Sequence, residues 1–169
     1  MQTSNSYEVL YNYGTILLYL GRLDEAEAAL TQALHIGRQQ LREGGELEVD
    51  VGEDSGDEPE LDPIRIQLAY LKIVRGHHQD AEKELLTVLN HRGISKVVAT
   101  IGTCNLVACR GCQDSTDSLK RWEFSKELMS RLKAFPNDVV SKLTPQQQSV
   151  FQFNRAMILL LLNRVKTVQ

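Results

Sequence analysis

Apolar residues along this chain recur at intervals of three and four and seldom at every second position, which predicts amphipathic helices and an all-α fold. In "YNYGTILLYLGRLDEAEAALTQALHI", Tyr11 to Ile36, the leucines are interrupted by small residues at Gly14, Gly21, Ala26 and Ala33, in steps of seven, five and seven. The segment "IQLAYLKIVRGHHQDAEKELLTVL" repeats those steps through Ala69, Gly76, Ala81 and Val88. Leu30 aligns with Leu85, Tyr13 with Leu68, and "DEAE" with "QDAE". A pattern that recurs at this length marks helical repeats. Gly14 and Ala69 fall inside the first helix of each pair, where a small residue lets the second helix approach. Gly21 and Gly76 fall at its end, where a left-handed residue is least costly. Asp24 and Gln79 or Asp80 are expected to start the second helices, Ala26 and Ala81 to sit where the helices cross, and Leu30 and Leu85 to fill the space beyond.

Gly14, Gly21, Ala26, Leu30 and Ala33 resemble the signature of the tetratricopeptide repeat (TPR) family, with Leu10 in place of the usual Trp and Arg38 in place of the closing Pro. The resemblance implies a TPR-like right-handed superhelix of antiparallel helix pairs, about three and a half repeats in a single domain. Repeat one would span 7–38 and repeat two 63–91. A divergent repeat three would span 95–134, with Cys104 at the small position, Gly111 at the helix end, Ser115 or Asp117 as the next cap, and Trp122, Leu128 and Leu132 buried. Repeat four would begin at 144–169, where Thr144 caps a helix, Pro145 occupies its first turn, and Ala156 to Asn163 restores the seven-residue step. A chain ending at Gln169, early in the next expected helix, reads as a fragment of a longer protein.

Charge changes the picture at one place. The chain carries a formal charge of -3, but Glu43 to Asp62 holds ten carboxylates and no Lys or Arg. The remainder carries about +7 by counting charges. Gly21 to Gly76 is 55 residues, against about 34 for adjacent repeats. The excess coincides with "REGGELEVDVGEDSGDEPELDP", whose charge and Gly/Pro content predict a solvated acidic insert over 43–62, with Asp62–Pro63 starting the next helix. The N-terminus "MQTSNSYEVL" lacks a signal-peptide pattern. The longest apolar run, "AMILLLL", is far short of the ~20 residues that cross a bilayer. No membrane insertion and a cytoplasmic, reducing location are therefore expected.

Catalytic chemistry finds no foothold in the sequence. Neither a Ser-His-Asp grouping, nor a phosphate-cradling loop, nor a carboxylate pair in a catalytic setting is present, so no enzymatic activity, cofactor or metal is expected. "CRGC" (Cys109, Cys112) lacks the strand setting of a redox motif, and with Cys104 it offers three of the four ligands that zinc needs; packing cysteines are the better reading. The His residues, including His77–His78 in a turn, read as surface or packing residues. Lys120, Arg121, Lys126, Arg131 and Lys133 gather on the sixth helix, a solvated face or a secondary RNA contact without an aromatic platform.

What the TPR resemblance implies instead is a concave groove, lined by first helices, that holds a peptide. Its groove positions map to Tyr11, Thr15, Leu18 and Tyr19, to Ile66, Tyr70 and Ile73, to Ile101, Asn105 and Ala108, and to Asn154 and Arg155. The Lys and Asn with which chaperone-binding TPR domains hold a terminal carboxylate are missing, since Tyr11, Thr15 and Ile66 stand there. Further along, "VATIGTCNLVACRG", "DSTDSLKRWE" and "KLTPQQQSVFQFNRAMILLLL" resemble the N-terminal TPR domain found in the seventy-two-kilodalton subunit family of the eukaryotic signal recognition particle. Asn105, Leu106, Val107 and Ala108, with Phe153, Asn154, Arg155 and Ala156, carry that similarity; the acidic insert and "CRGC" depart from it. It implies a non-catalytic interaction module that binds a C-terminal segment of the sixty-eight-kilodalton partner subunit, with RNA engaged only indirectly or through regions outside this chain. An unrelated TPR adaptor holding another peptide is the alternative.

Overall fold

Two turns set the architecture. Gly21 and Gly76 adopt positive φ, 74° and 83°. After each, the chain reverses through the same pair of bonds. Arg22 N donates to Leu17 O at 2.9 Å and Gly21 N to Leu18 O at 3.1 Å, while His77 N donates to Lys72 O and Gly76 N to Ile73 O, both at 2.9 Å. These bonds satisfy helix-end carbonyls that would otherwise lack partners. In the computed structural model of the chain, which describes residues 6–44, 58–111 and 118–166, the helices they join are α1 (Tyr7–Tyr19) with α2 (Leu23–Glu43), and α3 (Asp62–Val74) with α4 (His78–Leu89). A 3-10 turn, Pro59–Leu61, leads into α3; α5 (Lys96–Gly111), α6 (Ser118–Lys133), the single turn α7 (Asn137–Val140) and α8 (Pro145–Lys166) follow. Among the described residues there is no strand.

Small residues do what their spacing predicts. Gly14 faces the side chain of Leu30 and the carbonyl of Ala26; a Cβ at Gly14 would lie 2.7 Å from Leu30 Cγ. Ala26, Leu30 and Ala33 are fully buried, as are Ala69, Ala81 and Leu85. Burying one such leucine contributes about 1.5–3 kcal/mol. Between pairs, α2 packs on α3, α4 on α5 and α6 on α8. The first helices also touch in series, α1 to α3, α3 to α5 and α5 to α8, whereas no comparable contact joins α2 to α4 or α4 to α6 among the described residues. One core runs from α3 through α8 around Ile66, Leu85, Leu106, Leu132 and Phe151, and two smaller clusters join α1, α2 and α3.

An ion pair recurs at the junctions between pairs. Arg75, at the end of α3, bonds Asp24 Oδ1 and Glu27 Oε2 of α2, each at 2.5 Å. Arg110, near the end of α5, bonds Glu82 of α4. Glu27 and Glu82 are separated by the same 55 residues as the glycine turns, so the contact is part of the repeat.

Several boundaries differ from the sequence reading. The second helices start at Leu23 and His78, with no side-chain cap. Asp24 and Asp80 instead occupy the first turn, where a carboxylate favours the helix's positive end. Helix α2 runs past Arg38 to Glu43, since no proline stops it. Glu58 and Asp62, read as part of a solvated insert, are buried. Glu58 pairs with Arg65 and Arg38, while Asp62 Oδ1 lies 2.6 Å from His91 Nδ1 and 3.3 Å from Arg65 Nη1. Removal from water raises the Asp62 pKa, with the His91 and Arg65 contacts opposing the shift. At α8 the reading holds: Thr144 Oγ accepts from Gln147 N, and Gln147 Oε1 accepts from Thr144 N at 2.9 Å, a reciprocal cap. The expected caps Ser115 and Asp117 lie outside the described residues, as does most of 43–57.

Candidate protein-interaction face

The apolar side chains left exposed are not scattered. Every large exposed hydrophobic among the described residues lies on α1, α3 or α8, or at Leu20 just after α1. None lies on α2, on α4 or on 122–133 of α6. Scattered single apolar residues on a surface mean little, whereas grouped ones mark contact sites. Here they fall on the helices that touch in series, so one layer of the molecule carries the unsatisfied apolar surface.

Each residue proposed from sequence has a definite place in that layer. Tyr19 is 85% exposed and Tyr70 42%. Tyr11 and Leu18 are half-buried against the cluster joining α1 to α2 and α3. Thr15 is half-buried and donates its hydroxyl to Tyr11 O at 2.9 Å. Ile73 and Ile101 are half-buried against the main core, Asn105 is half-buried and Ala108 exposed.

Two positions require correction. Ile66 is 2% exposed: Gly102 of α5 has no side chain, and a Cβ there would sit 3.0 Å from Ile66 Cδ1, so α5 closes over it. Asn154 is buried too, its Nδ2 donating to Cys104 O at 3.2 Å, which ties α8 to α5. Arg155 is half-buried, with its guanidinium 5.8 Å from the Phe151 ring.

Sequence reasoning missed the residues of α8 that do face outward: Phe153, Met157 and Leu160, and Val74 on α3. The signal was present. Aligning Ala156 with Gly14 sets Phe153 at the place of Tyr11, Met157 at that of Thr15 and Leu160 at that of Leu18. The same alignment sets Phe151 and Ile158 at the places of Ile64 and Leu71, and all four are fully buried. Choosing the polar pair Asn154 and Arg155 instead put the outward face a residue or two out of register.

This face is suited to contact. Tyr19, Tyr70, Val74, Phe153, Met157 and Leu160 carry no charge. Tyrosines at such sites bury area while keeping a polar tip. Cys104 and Cys109 are buried. Burial pushes the Cys104 pKa up to about 11, and Cys109 Sγ donates to His78 O at 3.0 Å. Among the described residues no group of three His, Cys, Asp or Glu side chains is placed to hold a metal; Cys112 lies outside them. On α6, Lys126 lies over the Trp122 ring at 3.4 Å and Arg131 pairs with Glu127 at 2.9 Å. No helix among the described residues is long and apolar enough to cross a membrane.

Fold and face together define a stack of helical hairpins whose large exposed apolar side chains, among the described residues, lie on α1, α3 and α8 and at Leu20. The chain is 29% identical over 165 residues to signal recognition particle subunit SRP72 of Caenorhabditis elegans, a match that covers 96% of this chain. It spans 23% of the length of that relative. No protein-family profile matches the chain, and no solved structure does.

Proposed function

We propose that the chain is a TPR-type module of a signal recognition particle subunit, and that it captures a segment of a partner protein on the layer formed by α1, α3, α5 and α8. The observation that carries this reading is the confinement of exposed large hydrophobics, among the described residues, to α1 with Leu20 just after it, α3 and α8. In a TPR superhelix these first helices line the concave side. The similarity to SRP72 over nearly the whole chain supports a place in particle assembly for co-translational targeting to the endoplasmic reticulum. The bound element is then a C-terminal segment of the sixty-eight-kilodalton subunit, and the module is non-catalytic and cytoplasmic. RNA is engaged indirectly or outside this chain.

The grouped apolar side chains exposed on this layer fit a captured segment that presents mainly apolar side chains. Titration calorimetry with the partner's C-terminal segment tests this. Tyr70→Ala and Phe153→Ala, both at exposed positions, are expected to weaken binding about tenfold or more, an effect on the scale of an interface anchor, with little change in melting temperature. Unchanged affinity in both variants would contradict the assignment, and no binding by the parent would favour an adaptor for a different peptide. Tight, salt-sensitive RNA binding by the isolated chain would overturn the protein-only reading.

A further inference from the structure

One helix of the interaction layer carries no large exposed hydrophobic. Such side chains stand on α3 and on α8, but none stands on α5. Helix α5 touches both α3 and α8, which make no comparable contact with each other among the described residues, so it runs between them. Its outward positions, one turn apart, are Asn105, half-buried, and Ala108, exposed. The layer is therefore low along α5 and high on either side.

Two contacts fix the height of Ala108 against α3. Gly102 lies against Ile66, and Cys109 Sγ donates to His78 O, past the end of α3, so the two helices run in the same direction. Six residues on from Gly102 and Ile66, their equal rise sets Ala108 level with Lys72, between the exposed Tyr70 and Val74. On the other side Asn154 bonds Cys104 O, one turn before Ala108, and the exposed Phe153 and Met157 stand beside it on α8. The charged side chains near this height are drawn to α4, where Lys72 pairs with Glu84 and Arg110 with Glu82. Elsewhere in the molecule a small residue at such a place receives a branched side chain from a neighbouring element. Gly14 faces Leu30, Gly37 faces Leu61 and Gly102 faces Ile66, and all three of those side chains are buried. Ala108 has the same bulky surroundings but is open.

We infer that Ala108 is a specificity-determining residue: it floors a slot that admits one bulky apolar side chain, a Leu, Phe or Trp, of the captured segment. This rests on the reading that the layer captures a partner segment. Titration calorimetry with the C-terminal segment of the sixty-eight-kilodalton subunit tests it by filling the slot. Ala108→Trp is expected to weaken binding about tenfold or more, the scale of a lost interface anchor, and Ala108→Ser to stay within about twofold. Both changes are at an exposed position, so melting temperatures should hold; where Trp lowers it, Ala108→Leu, a smaller plug and a good helix former, carries the same test. Replacing the segment's large apolar residues by Ala, one at a time, should reveal one whose truncation weakens binding to the parent but not to Ala108→Trp. Full affinity in Ala108→Trp, with Tyr70→Ala and Phe153→Ala weakened, overturns the slot and leaves the capture reading standing. So does the lack of any such residue in the segment. A parent that does not bind the segment removes both.

Discussion

Replacing Gly14 by Ala asks whether small residues seat these helices. In an isolated helix the change is favourable, by about 0.8–1 kcal/mol. In this molecule the new methyl would stand 2.7 Å from Leu30 Cγ, 3.0 Å from Leu30 Cδ2 and 3.4 Å from Ala26 O. Leu30 is fully buried, and the atom met first is its branch point, which moves only with the whole side chain. Overpacking of this kind costs about 1–3 kcal/mol. It outweighs the propensity gain, so Gly14→Ala is expected to destabilise the fold by about 1 kcal/mol net. Gly111→Ala is the control, because nothing lies within 4 Å of a Cβ at that position; it should be neutral or stabilising. Urea unfolding followed at 222 nm measures both. Leu30→Ala alone should cost about 2–5 kcal/mol and distinctly less in the Gly14→Ala background, where the cavity accepts the methyl. A Gly14→Ala protein as stable as its parent, with additive energies in the double variant, would refute the reasoning.

Other consequences follow from buried groups. The Asp62 carboxyl has a raised pKa, first because burial removes it from water, with His91 and Arg65 opposing. Its contribution to stability is therefore fully present below its unfolded pKa and is lost as pH rises through the raised folded value. Asp62→Asn lacks that loss, so its stability relative to the parent should improve as pH rises from about 3 to 6; a flat or falling difference in urea midpoints would mean that the ionised form is the stabilised one. Cys104, with its pKa near 11 and its side chain buried, should stay unmodified by iodoacetamide at pH 8 in the native state and react in urea, as mass spectrometry would show; rapid native labelling would contradict its burial. Arg75→Ala breaks two partly exposed ion pairs to α2 and should cost no more than about 1 kcal/mol in the same unfolding assay, less in high salt.

How much could be read in advance depended on whether a residue's role left a mark in its type. Gly21 and Gly76 had to be glycine, and Gly14 had to be small, so the first two hairpins and their register were legible from spacing alone. Acids in a run of acids look solvated, and nothing in the letters separates Glu58 and Asp62 from their neighbours; the arginines and histidine that hold them lie on α2, on α3 and after α4. On α8 the outward Phe153, Met157 and Leu160 are of the same types as core residues, and "AMILLLL" reads as buried on every side. Only the alignment of Ala156 with Gly14 tells them apart. Ile66 failed for the opposite reason, because its burial depends on Gly102, a glycine whose smallness serves a helix from the next pair.

The most direct measurement is hydroxyl-radical footprinting of the chain with and without the C-terminal segment of the sixty-eight-kilodalton subunit. The account predicts protection concentrated at Tyr19, Tyr70, Phe153 and Met157, with the exposed positions of α2, α4 and α6 unchanged. Protection on α2, α4 or α6 in place of those side chains would contradict it.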